Sequence, residues 1–135
     1  MERILAIDYG DRRVGLAVSD PLGITAQPIG YVTVSGFSDA ISKIKSYITE
    51  YDIKKIVLGL PKNMSGEEGT RASVTREFGE RLEKETGITP DFFDERLTTV
   101  YADHTLNSLN VKGKKKTGKK DTLSAVLILQ GYMGI

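Results

Sequence analysis

Apolar positions along the chain change their period several times, and each change marks an element. Residues 3 to 9 (RILAIDY) and 14 to 19 (VGLAVS) are dense in branched apolar residues and separated only by the turn GDRR, so they read as two buried strands. Residues 26 to 34 (AQPIGYVTV) read as a third strand. Links this short suit an antiparallel meander. Pro28, which has no backbone N–H to donate, makes the third strand an edge strand or delays its start. From 38 to 51 the spacing becomes helical: Phe37, Ile41, Ile44 and Ile48 recur every three or four residues, and Ser38 is the expected N-cap. Residues 54 to 60 (KKIVLGL) form a strand stopped by Pro61, and KNMSGEEG is a polar loop. Over 70 to 86, Val74, Phe78 and Leu82 share one helical face, with Gly87 just beyond the end. Residues 90 to 94 (PDFFD) are a short strand, 98 to 109 a helix, and 121 to 132 (DTLSAVLILQGY) a last helix that is apolar almost all round and therefore expected to be buried.

Three strands, helix, strand, helix, strand and two helices predict an α/β fold. Its five-stranded mixed sheet has three antiparallel strands followed by helix-connected parallel ones, flanked by helices. No repeat or linker divides the chain, so residues 1 to 135 are expected to form one domain. In such sheets, sites form outside the carboxyl ends of the parallel strands.

Composition narrows the chemistry. The chain has no cysteine and one histidine, which excludes disulfides, thiolate metal sites and a multi-histidine zinc site. Its apolar runs are too short to span a bilayer. The start, MERILAIDYG, becomes acidic and then strand-like rather than resembling a signal peptide, so a cytoplasmic location is expected. The net charge of +1 conceals an uneven distribution. Residues 112 to 120 (KGKKKTGKK) carry six lysines and no acid, and without them the rest of the chain stands at −5. A basic segment on an acidic body points to a polyanionic partner, although a lysine run can also be a solvated loop.

Three acids lie at the ends of elements. Asp8 ends the apolar strand ILAIDYG, Glu95 follows the short strand in PDFFDERLTT, and Asp121 opens the last helix. Each has a local explanation: a turn aspartate, an acid opposing a helix dipole, an N-cap. Taken together they fit one sheet rim. Carboxylates at close range resist joint ionisation, and a hard cation such as Mg²⁺ or Mn²⁺ relieves this through oxygen ligands. Such a site suits phosphoryl transfer. Lys112, Lys114, Lys115, Lys116, Lys119 and Lys120, beside Asp121, would offset the repulsion between an acidic site and a nucleic-acid backbone. Arg13 and Arg96 are further candidates to hold a phosphate, or else surface ion pairs. The loop from Lys62 to Gly69 is read as a connector rather than a substrate flap, and His104 as structural rather than a proton carrier.

Four blocks, in order, resemble a known family: IDYGDRRVGLAVSD at 7 to 20, IVLGLPKNMSGEEG at 56 to 69, DERLTT at 94 to 99, and the basic segment leading into DTLSAVLILQGY. The chain resembles the YqgF/RuvX family, described as Holliday junction resolvase-like and as nucleases of the 16S ribosomal RNA precursor. The resemblance implies a ribonuclease H-like fold, a divalent-metal site at Asp8, Glu95 and Asp121, and a first-motif arginine at Arg13. It departs from junction resolvases proper, which place an acid at the end of the fourth strand. Here that strand ends in GLP, so Glu95 would have to substitute from the fifth.

Three functions compete. The first is a metal-dependent endonuclease that acts on precursor ribosomal RNA, with a ribosomal particle as a further candidate partner, or on branched DNA, as a monomer or homodimer. The second is an RNA-binding assembly or transcription factor without catalysis. The third is a nucleotide-binding ATPase, since IDYGDRRVGLAV also resembles the phosphate hairpin of the actin and sugar-kinase superfamily; a chain this short supplies only one of the two lobes those proteins need.

Overall fold

A computed structural model describes residues 2–96 and 113–135, with the backbone alone over 113–120. The elements are β1 (Arg3–Tyr9), β2 (Arg13–Ser19), β3 (Ala26–Thr33), α1 (Phe37–Glu50), β4 (Ile53–Leu60), α2 (Thr70–Thr86), β5 (Asp91–Asp94) and α3 (Gly113–Met133). The helix expected over 98 to 109, with His104, lies outside the described residues, as does Lys112.

The strands form one sheet in the order β3-β2-β1-β4-β5. β1–β2 and β2–β3 are antiparallel, while β1–β4 and β4–β5 are parallel. This is the mixed sheet the sequence predicts. β3 lies at an edge, where Pro28 pairs opposite Ala17 beside a register shift; an edge is where a residue without an N–H costs least.

Alternation along the central strands separates two cores. On one face Leu5, Ile7 and Tyr9 pack with Ile41 and Ile44 of α1 and Phe78 and Leu82 of α2. On the other, Ile4, Ala6, Ala17 and Val57 pack against Ala125, Ile128 and Leu129 of α3. Small residues dominate the sheet side of this second core. That lets α3 lie close across β1, β2 and β3.

Three local expectations are corrected. Ser38 is not the cap of α1: the helix starts at Phe37 behind Gly36, with no side-chain cap bond, and the Asp39 carboxylate instead accepts the Ser35 N–H at 3.0 Å. Phe37 is drawn into the first turn because its ring packs against Tyr9 and Phe78, at centroid distances of 5.6 and 5.5 Å. The lysine segment is not a loop, since residues 113–120 have helical backbone. Lysine is a good helix former, and this stretch contains no proline to stop propagation from the packed turns behind it. Asp121 is therefore not an N-cap but lies two turns inside α3. Nor is α3 buried all round: Ser124, Ala125, Ile128 and Leu129 are buried, while Leu123, Val126 and Leu127 are half-buried. The helix covers one face of the sheet rather than sitting between two layers.

Candidate active site

The acid rim is built from the ends of β1 and β5 and the middle of α3. Asp8 shares the α3 face with Ile4 and Ala6, while its neighbour Tyr9 turns to the opposite core. There the Tyr9 ring stacks on Phe78 at 4.2 Å between centroids, anchoring the last residues of β1. Glu95 follows β5, and its N–H donates to the Leu60 carbonyl at 3.1 Å, prolonging the β4–β5 pairing by one residue. The parallel register of β1, β4 and β5 thus brings Asp8 and Glu95 to the same carboxyl-end rim.

Two glycines make the convergence possible. Gly15 is paired directly with Asp8. A Cβ on it would lie 2.0 Å from the Asp121 carbonyl oxygen, so α3 rests on bare backbone there. A Cβ on Gly59, near the end of β4, would lie 2.7 Å from both Cγ and Oε1 of Glu95. The departure noted in the sequence, a fourth strand ending in GLP without an acid, thus has a steric counterpart: the Glu95 side chain occupies the space beside Gly59.

Asp8 and Glu95 act directly on one another. The Glu95 carboxyl is pushed up to about 10, first by burial, then by the negative charge of Asp8 and by the hydrogen bond it donates to Asp8. Arg71 acts in the opposite sense, and Asp94 adds a little to the rise. At neutral pH Glu95 therefore keeps its proton. Asp121 comes from the adjoining helix, and its Oδ2 accepts a hydrogen bond from Arg13 Nε at 2.9 Å. Among the described residues, no group of three or more histidines or acids is gathered tightly enough to hold an ion. Asp8 and Glu95 meet, while Asp121 stands beside them over Gly15 with Arg13.

The adjacent acid plays a different part. Asp94 accepts the Arg96 N–H at 3.0 Å and is forked by the Arg96 guanidinium at 2.6 to 3.1 Å, which holds its carboxyl below the usual range. It is the turn-forming acid of the pair. Arg96 and Arg13 are thus both paired with acids. Lys114, Lys115, Lys116, Lys119 and Lys120 fall on the first two turns of α3. The loop after β4 is tied by its own backbone bonds, from Asn63 N–H to Glu67 and from Gly66 N–H to Asn63, and by the Arg76–Glu68 ion pair at 2.6 Å.

The sequence reading missed Arg71 and Lys62. Arg71 lies in the first turn of α2 with its guanidinium 3.6 Å from the Asp11 carboxylate. Lys62 lies just after β4, and its charge reaches Asp94 and Glu68. A signal was available: both residues follow the carboxyl end of a central parallel strand, where sites form.

Comparison with known proteins agrees with this architecture. The family model RuvX, described as Holliday junction resolvase, matches residues 2–134. A protein of Ruminiclostridium cellulolyticum named "Putative pre-16S rRNA nuclease" is 46% identical over 132 residues, covering 97% of this chain and 93% of the relative. One of the same name from Agathobacter rectalis is 42% identical over 134 residues, covering 97% and 94%. Among solved structures, Thermus thermophilus RuvC superposes with a TM-score of 0.59 at 12% identity, covering 98% of this chain and 96% of that one. This likeness shows the ribonuclease H-like fold. With a family match over nearly every residue and relatives this close, the chain belongs to the RuvX family.

Proposed function

We propose that this chain is a metal-dependent endonuclease that hydrolyses phosphodiester bonds in structured nucleic acid, with the 5′ end of the 16S ribosomal RNA precursor as its substrate. The observation that carries the reading is the Asp8–Glu95 pair, two carboxyl groups that meet at a sheet rim, with Glu95 holding its proton far above its ordinary range. A proton held so far above its ordinary range marks a place where positive charge is wanted. The donor set, all carboxylate oxygen, fits Mg²⁺ or Mn²⁺. Asp8 and Glu95 would hold the ion, with Asp121 as third ligand, and the bound ion would supply positive charge beside the reacting phosphate. The remaining work falls to the chain itself. Arg13 orients Asp121. Tyr9, stacked in the core, keeps Asp8 in place. The lysines of α3 hold flanking phosphates.

The names of the relatives favour precursor ribosomal RNA, met in the cytoplasm on a ribosomal particle. No described helix is long and apolar enough to cross a membrane. The family's description favours a second reading, cleavage of four-way DNA junctions, which would suit a symmetric homodimer.

The test is incubation with labelled precursor ribosomal RNA and with a synthetic four-way DNA junction, in Mg²⁺, Mn²⁺ or EDTA, beside Asp8→Asn and Glu95→Gln. Cutting that needs metal and disappears in both variants is expected, with RNA the preferred substrate. Preference for the junction would favour the second reading. Full cleavage by Glu95→Gln would rule out this site. Binding without cutting by the parent protein would move the function to a non-catalytic assembly factor.

A further inference from the structure

The cations expected to hold substrate beside the rim, Arg13 and Arg96, are both committed to carboxylates at hydrogen-bond distance, Arg13 to Asp121 and Arg96 to Asp94. Arg71 differs. Its side chain is 62% exposed, and its contact with Asp11, itself 77% exposed, is at 3.6 Å, beyond a good hydrogen bond. An exposed pair of that length holds its partners weakly.

Arg71 also stands at a junction of surfaces. On one side it lines a small hollow with Tyr9 and Asp11, next to the end of β1 that carries Asp8. On the other it lines an open cleft with Lys62, Asn63 and Thr70, next to the end of β4. Its charge is felt at Glu95 and at Tyr9. α2 packs on the face of the sheet opposite α3. Arg71 and Lys62 therefore bring positive charge to the rim from the layer that does not carry the lysine segment.

We propose that Arg71 and Lys62 are substrate-positioning residues that take backbone phosphates on the α2 side of the acid rim, so that a nucleic-acid strand is held from both layers of the fold. This rests on the nuclease reading above. A guanidinium can fork two oxygens of one phosphate, and the lysine adds a mobile point charge beside it. Asp11 parks Arg71 until a phosphate, which binds more strongly than an exposed carboxylate at that distance, replaces it.

The experiment measures the affinity of labelled precursor ribosomal RNA across a salt series in EDTA, for the parent protein, Arg71→Gln, Lys62→Gln, the double variant, and Lys54→Gln. Lys54 is an exposed lysine at the start of β4, paired with Asp52 at the far end of the sheet, so it matches the charge change elsewhere. Each of the first two variants should weaken binding roughly three- to tenfold and lower the slope of log affinity against log salt by about 0.7 to 0.9, with the double variant losing about twice that. Lys54→Gln should leave the slope unchanged. Arg71→Lys should keep the slope, because it keeps the charge, while losing part of the affinity because it loses the fork. Parent-like slopes for Arg71→Gln and Lys62→Gln, or an equal drop for Lys54→Gln, would overturn the inference. Melting temperatures should be unchanged, because both side chains act at the surface. Failure of the nuclease reading is separately visible as full cleavage by Glu95→Gln. If the parent protein binds no RNA at all, both fall together.

Discussion

The side chain of Glu95 lies where a side chain at Gly59 would be, with Cγ and Oε1 each 2.7 Å from the position of a Cβ on that glycine. The absence of a side chain on β4 and the presence of an acid after β5 are thus two halves of one steric arrangement. Gly59→Ala should both destabilise the fold and displace Glu95. The added methyl would also meet Ile128 Cδ1 at 2.5 Å, so the expected cost is about 1–3 kcal/mol by overpacking. Urea unfolding measures the first effect and the cleavage assay the second. A parent-like variant in both would show that the rim has slack these distances deny.

The proton on Glu95 ties stability to pH. In the folded chain Glu95 holds its proton up to about 10, whereas the unfolded chain releases it near the ordinary 4.5. Between those values the folded state binds more protons than the unfolded one, so stability falls as pH rises. Glu95→Gln removes that linkage. In EDTA, the variant should be more stable than the parent at neutral pH and lose less stability toward alkaline pH. Urea midpoints across the pH series check this, and parallel curves for the two proteins would count against the retained proton. Adding Mn²⁺ to the parent should release a proton, which calorimetry in two buffers of different ionisation enthalpy detects.

The Arg13–Asp121 pair is half-exposed, at 41% and 25% of the two side chains, so its direct contribution to stability is small. Arg13→Gln should shift unfolding by only about 0–1 kcal/mol. If Asp121 acts in the site, the loss of its orienting partner should slow cleavage by roughly 10- to 100-fold, since small misplacements of catalytic groups are costly. Parent-like rates would reduce the pair to a surface contact.

A second titration lies at the far end of α3. The Tyr132 hydroxyl donates to the Asp91 carboxylate, and that bond, with some burial and the carboxylate's charge, pushes the phenol up to about 12. The sign is that of a raised pKa: the bond's contribution is fully present below the unfolded value of 10 and is lost as pH rises through about 12. Tyr132→Phe should therefore be less stable than the parent at neutral pH, with the gap closing in alkali. A gap that does not close would assign the effect to packing instead.

Much of this protein is legible from local pattern. Continuous apolar runs mark β1, β2 and β4, because these strands are buried on both faces, and three- and four-residue spacing marks α1 and α2, because burial on one face of a helix imposes that period. Pro28 marks the edge strand because a missing N–H is a local fact. The sequence also places Asp8 and Glu95 at the ends of parallel strands, and parallel strands share a rim. What the sequence could not decide is which side chains meet once layers pack. Asp121 reads as an N-cap because helix starts are judged from neighbours, yet the lysine turns before it continue the helix. Arg13 and Arg96 read equally as phosphate holders or as ion pairs, and the partner of Arg13, Asp121, 108 residues away, leaves no trace in local composition. The need for glycine at 15 and 59 shows only once α3 and Glu95 are seen against them. The place of Arg71 beside the ends of both β1 and β4 shows only in the folded chain. Periodicity belongs to single elements and is written along the chain; proximity between layers belongs to packing, which only the folded structure supplies.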